Sequence, residues 1–125
     1  MKRKEIAIIA LIGAYFVGSE VYYARSIQPE GVRTAADHLA RFGPPLSVIR
    51  FECEEQTFFR VSGKPPPWWV MAVPSSVAAY IYDDKGSLVD WCPAPGDQPS
   101  FDKRWPRINP ENVTLEEFAN HFGAR

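Results

Sequence analysis

LSVIRFECEEQTFFRV, residues 46–61, is the stretch that decides the fold. Ile49, Phe51 and Cys53 alternate with Arg50, Glu52 and Glu54, the period-two pattern of a strand with one buried face. Glu54-Glu55-Gln56 can turn the chain, and Thr57–Val61 returns as a second strand. An antiparallel hairpin therefore sits near the middle of the chain.

Working outward towards the C-terminus, Ser62–Pro67 breaks the run, and Trp68–Val73 reads as a third strand entered through Pro65, Pro66 and Pro67. Pro74-Ser75-Ser76 breaks it again. Val77–Tyr82 is a fourth strand and Ser87–Cys92 a fifth, joined by Asp83-Asp84-Lys85-Gly86, where Gly86 suits a positive φ. Pro93, Pro95, Pro99, Pro106 and Pro110 then form a proline-rich arm too dense in proline for regular elements. Phe101 and Trp105 within it call for packing on the domain rather than free linker. Thr114-Leu115-Glu116-Glu117 has the form of a capping box and opens a last helix through Phe118 and Phe122, with Gly123 closing it.

Towards the N-terminus, Thr34 and Asp37 start a short helix with Ala35, Ala36, Leu39, Ala40 and Phe42 on its apolar side. Gly43 and Pro44-Pro45 end it. The expectation is an α+β domain: a short helix, a roughly five-stranded and mostly antiparallel meander, a proline-rich arm and a C-terminal helix. Length allows one such domain, residues 34–125, after a linker at 26–33.

Residues 1–25 are of a different kind. Lys2, Arg3 and Lys4 precede an uncharged apolar run from Ile6 to Gly18. Two readings are open. The segment is a signal-anchor that crosses the membrane with residues 6–24, placing Tyr22 and Tyr23 in the interfacial aromatic belt. Alternatively it is a signal peptide cleaved near Ser19, leaving a secreted or periplasmic protein. A buried core helix is the third possibility. Both membrane readings leave the basic cluster inside and export the domain. No Leu-x-x-Cys pattern follows, so a lipoprotein signal is absent.

In an exported domain, two cysteines usually pair. A Cys53–Cys92 disulfide is therefore expected, the competing reading being two separate buried thiols. Neither cysteine has metal-ligand spacing to His38 or His121, so no metal and no cofactor is expected. The net charge of −1 argues against nucleic acid.

Catalytic signatures are missing. Ser75 and Ser76 lack a nucleophile-elbow frame, and His38 and His121 read as helical surface histidines. Asp83 and Asp84 are turn residues without the oxygen spacing of a calcium loop, and no glycine-rich phosphate cradle occurs. The tryptophans remain. On a strand, Trp68 and Trp69 would face opposite sides, so one of them leaves the core. Either Trp105 or Phe101 of the arm covers it, or a partner protein does. The expectation is a non-enzymatic, membrane-tethered envelope protein that binds a protein partner through Pro65, Pro66, Pro67, Trp68, Trp69 and Trp105 with Glu52 and Glu54 as an acidic rim. It would serve as an accessory or assembly subunit of a membrane complex or as an immunity-type binder. The alternative is a small envelope hydrolase or cell-wall-binding module.

Overall fold

A computed structural model describes residues 2–70 and 76–122. It has the expected α+β architecture: an N-terminal helix, a short helix, a five-stranded antiparallel sheet and a C-terminal helix.

Helix α1 runs Arg3–Ser26, so it continues past Glu20 and is about 36 Å long at 1.5 Å per residue. It is long and apolar enough to cross a membrane. Ile6, Ile8, Ile9, Leu11, Ile12, Phe16 and Val17 are all exposed, which removes the core-helix reading. Its second half meets the domain: the Tyr15 hydroxyl donates to the Trp69 carbonyl, Ser19 and Tyr23 are buried, and the Tyr80 hydroxyl donates to the Ile27 carbonyl just beyond the helix.

Residues 27–34 are pinned to the sheet rather than free. Val32 is buried, Leu88 N–H donates to the Arg33 carbonyl at 2.8 Å, and Ala35 N–H donates to the Gly86 carbonyl at 2.7 Å. Helix α2, Ala35–Phe42, starts as the sequence predicts. Thr34 Oγ1 accepts from Asp37 N–H at 3.1 Å, and Asp37 Oδ2 accepts from Thr34 N–H at 3.2 Å. Those backbone donors, Arg33 N–H first, hold the Asp37 carboxyl below its usual pKa. Gly43, at φ 75°, ends the helix.

Strands β1 (Ser47–Cys53), β2 (Gln56–Ser62), β3 (Ala79–Asp83) and β4 (Leu88–Cys92) form an antiparallel meander. The central hairpin closes through Glu54 and Glu55, both at positive φ (51° and 66°), the signs a type I′ turn requires. Gly86 sits at φ 88° in the β3–β4 turn, and an added Cβ would lie 2.8 Å from Phe122 Cδ1, so the turn and the last helix are fitted to each other. The Asp83 carboxylate satisfies the same turn, accepting from Lys85 N–H at 3.0 Å and Ser87 N–H at 2.8 Å.

The strand count is right, but one strand is not where the sequence puts it. Trp68 and Trp69 lie in a turn, with Val70 N–H donating to the Pro67 carbonyl at 3.0 Å. Met71, Ala72 and Val73, the rest of that predicted strand, lie outside the described residues, as do Pro74, Ser75 and Gly123. The fifth strand, β5 (Ile108–Val113), comes from the arm and pairs with β1, giving the order β4-β3-β2-β1-β5. The arm also holds a 3₁₀ turn at Pro95–Asp97 and helix α3, Pro99–Arg104. Its prolines occupy the few places that tolerate them: the first turn of a helix for Pro95 and Pro99, and an edge strand for Pro110. Density alone misled the sequence reading. Helix α4, Leu115–Phe122, follows its predicted cap, Glu117 N–H donating to Thr114 Oγ1 at 3.1 Å.

The sheet is covered on both faces. On one, Val48, Phe59, Val61, Tyr80, Tyr82 and Val113 pack with Ala35 of α2 and Phe118 of α4. On the other, Phe51, Cys53, Phe58, Ala79, Ile81 and Cys92 pack under Phe101 of the arm. The expected disulfide is not formed: Cys53 and Cys92 are free and buried. The register explains why. Cys53 pairs with Gln56, whereas Cys92 pairs with Ala79, which pairs with Ser62 at the far end of β2. Three strand spacings and a whole strand length separate them, about 14 Å by about 20 Å. A bridge needs Cα atoms within about 7 Å.

Candidate functional site

The residues that sequence reasoning singled out fall into three places. Trp68 stands at the tip of the turn that follows the proline corner and is 93% exposed. Trp69, beside it, is half-buried against α1: its ring lies 5.1 Å from that of Tyr22, and its carbonyl accepts a hydrogen bond from the Tyr15 hydroxyl. A turn, not strand alternation, sends the two rings different ways. Pro65 and Pro67 lead into this turn and line a cleft beside it.

Trp105 lies elsewhere. Its ring packs 5.0 Å from Phe58, and Nε1–H donates to Asp90 Oδ2 at 2.7 Å. Arg104 joins the same carboxylate at 3.0 Å. Phe101 is buried on the arm-covered face with Arg60 and Arg104 over its ring. So neither Trp105 nor Phe101 covers the exposed tryptophan. Glu52 and Glu54 sit at the β1–β2 hairpin end, Glu52 accepting from Asn109 Nδ2 at 3.2 Å. The tryptophan turn leaves from the other end of β2, about 20 Å away. The structure does not join the acidic residues to the tryptophan turn.

What sequence reasoning missed is the cleft itself, about 450 Å³ in volume. Its walls come from the end of α1 (Tyr22, Tyr23, Ser26, Ile27), from α2 and its cap (His38, Phe42, Gly43, Pro44, Pro45), and from the proline corner through Trp69. Tyr80 of β3 closes it. His38 is not a surface residue as expected; it is 1% exposed. Its position three residues after Ala35 and four before Phe42, on one face of α2, was the available signal. The imidazole packs edge-on against Phe42 and Tyr80, with centroids 4.9 Å away in both cases. Its Nδ1 lies 2.8 Å from the Tyr82 hydroxyl. Burial in this aromatic cage drives its pKa down to about 4, so the ring is neutral at physiological pH. The same burial raises the pKa of Tyr80 and Tyr82.

Two polar atoms in this region have no hydrogen-bond partner among the described residues: His38 Nε2 and the Tyr23 hydroxyl. Both side chains line the cleft. The hydroxyl of Ser26, also in the wall, is spent on the Tyr23 carbonyl at 2.7 Å. Among the described residues no group of His, Cys, Asp and Glu is arranged to hold a metal ion. No protein-family model, no curated protein and no solved structure matches this chain.

Proposed function

We propose that this chain is a small membrane-tethered envelope protein that acts by binding another protein, as an accessory or assembly subunit of a membrane complex or as an immunity-type binder. Helix α1 is the tether, with Lys2, Arg3 and Lys4 on the cytoplasmic side and the α+β domain exported. The observation that carries the reading is Trp68. A ring 93% exposed gives up its burial energy, about 2–3 kcal/mol for a large apolar side chain, unless something covers it. Its backbone is held on both sides, by the proline corner before it and by the ring contact of Trp69 with Tyr22 at the interfacial end of α1. A preorganised, exposed tryptophan is the typical anchor of a protein interface. With Glu52 and Glu54 at the far end of β2, the docking surface contracts to Trp68 and Pro65–Pro67. Binding, not catalysis, is the activity proposed.

The test is a Trp68→Ala variant of the full-length chain, purified from membranes in mild detergent beside the wild type. Removing a hot-spot tryptophan weakens a complex by about 2 kcal/mol or more, roughly 30-fold in affinity. The stoichiometric partner should therefore be lost from the variant. Its melting temperature should stay unchanged, because Trp68 contributes almost no buried area. Equal partner recovery from both proteins would overturn the reading.

A further inference from the structure

Helix α1 is mostly apolar, yet its hydroxyl-bearing residues share one face. Tyr15, Ser19, Tyr22, Tyr23 and Ser26 stand at offsets of four, seven, eight and eleven from the first, the spacing of a single helical stripe. That stripe is what the domain touches. The Tyr15 hydroxyl donates to the Trp69 carbonyl, Ser19 and Tyr23 are buried, the Tyr22 ring lies 5.1 Å from that of Trp69, and Ser26 lines the cleft. Tyr15 and Tyr22 are two turns apart, about 10 Å along the axis. The tryptophan turn therefore lies alongside the helix, not beyond its end. On the tether reading, residues 6–24 cross the membrane and Tyr15 is their midpoint. The turn then stands level with the outer half of the span.

We propose that the partner of the tryptophan turn is an integral membrane protein, and that Trp68 docks against its transmembrane segments in the outer half of the bilayer. The inference rests on the membrane-tethered, protein-binding reading above and names the class of partner. Two observations carry it besides the height of the turn. The chain has no charged residue from Pro65 to Tyr82, so the turn enters the bilayer without burying a charge, and Lys64 before it is long enough to reach the interface. Residues 64–67 form neither helix nor strand, and an extended run of prolines makes no internal hydrogen bonds. At membrane depth, irregular backbone is stable only where protein covers it or where it lines a watery cavity, because lipid supplies no hydrogen bonds. Lipid would cover the exposed Trp68 ring but not the backbone beside it. A soluble partner would not reach a ring at that height. A neighbouring membrane protein covers both ring and backbone.

The experiment places a photoreactive aromatic of similar bulk, p-benzoylphenylalanine, at position 68 of the full-length chain and irradiates intact membranes. The adduct is digested and its attachment site mapped by mass spectrometry. The expected result is attachment within a transmembrane segment of a second protein. Tyr15→Phe removes the hydroxyl that holds the turn against α1. It should lower the adduct yield about fivefold with an unchanged melting temperature. Attachment to a soluble protein, to an extramembrane loop or to lipid alone overturns the inference, as does full yield in Tyr15→Phe. The readings beneath it fail in other ways. Release of the chain by alkaline carbonate breaks the tether, and equal partner recovery with Trp68→Ala breaks the docking surface; either takes this inference with it. With both intact, the mapped attachment site decides the inference alone.

Discussion

Under the arm, Phe51, Phe58, Ile81 and Phe101 pack with two thiols, and the polar groups stay at the edge. Asp90 there accepts from Trp105 and Arg104; burial acts to raise its pKa, but those bonds outweigh it and hold the carboxyl below its usual range. Under α2, the sheet offers Tyr80 and Tyr82, and α2 answers with His38. Two polar atoms there remain unpaired, and a cleft opens. Both faces bury large rings, yet among the described residues the buried side-chain polar atoms without a partner, His38 Nε2 and the Tyr23 hydroxyl, both lie on the α2 side. Structure is concentrated on the first face. On the second, stability has been given up, and that is where binding chemistry is to be sought.

If the arm-covered face is purely structural, emptying it should be costly and nothing more. Phe101 is 1% exposed and is the main apolar side chain that the arm inserts under the sheet. Phe101→Ala should lower stability by about 3–5 kcal/mol, measured by urea denaturation. A loss below about 1 kcal/mol would mean that the arm rests on the sheet without holding it, and the comparison of the two faces would fail.

The α2 face should reveal itself through acid. His38 has a folded pKa of about 4 against an ordinary value of 6.5, so the unfolded chain binds the proton more readily. Stability is then fully present above pH 6.5, falls as the pH drops from 6.5 towards 4, and levels off below. The full loss is about 3 kcal/mol. Asp37 and Asp90, held below the ordinary carboxylate value of 3.8, add losses only at lower pH, so the windows separate. Urea midpoints measured between pH 7 and 4 should slope in the wild type and flatten in His38→Gln. A flat wild-type profile would place His38 in contact with water.

Much of this was legible in the chain. The hairpin around Glu54-Glu55, the cap at Thr34 with Asp37, the stop at Gly43, the turn at Gly86 and the cap at Thr114 are local chemistry, readable from residue types at fixed offsets. Non-local facts were not. Strand β5 was hidden because its partner β1 lies about sixty residues away and because Pro110 suggests loop until its edge position is known. The Cys53–Cys92 pairing looked sound on compartment, but register along β2, invisible in sequence, sets the thiols apart. The cleft needs α1, α2 and the proline corner side by side, and no spacing encodes that. His38 was the nearest thing to a signal, since its spacing to Ala35 and Phe42 puts it on their face of α2.

The smallest effect probes the hairpin that carries Cys53 and the acidic pair, at the end of the sheet farthest from the tryptophan turn. Glu54 and Glu55 both hold positive φ, which costs a non-glycine residue about 1–2 kcal/mol. Asn-Gly is the sequence such a turn prefers. Glycine removes the steric cost at position 55 but loses more backbone entropy on folding, about 0.5–1 kcal/mol. Glu55→Gly should therefore stabilise by about 0.5–1 kcal/mol, seen as a higher urea midpoint with unchanged m-value. Retention of the partner through Trp68 should not move, because strain at this end does not support that surface. A fall in partner retention with stability gained would show that the glutamate turn is held in its strained form for recognition. The acidic rim would then return as a second docking point, separate from Trp68.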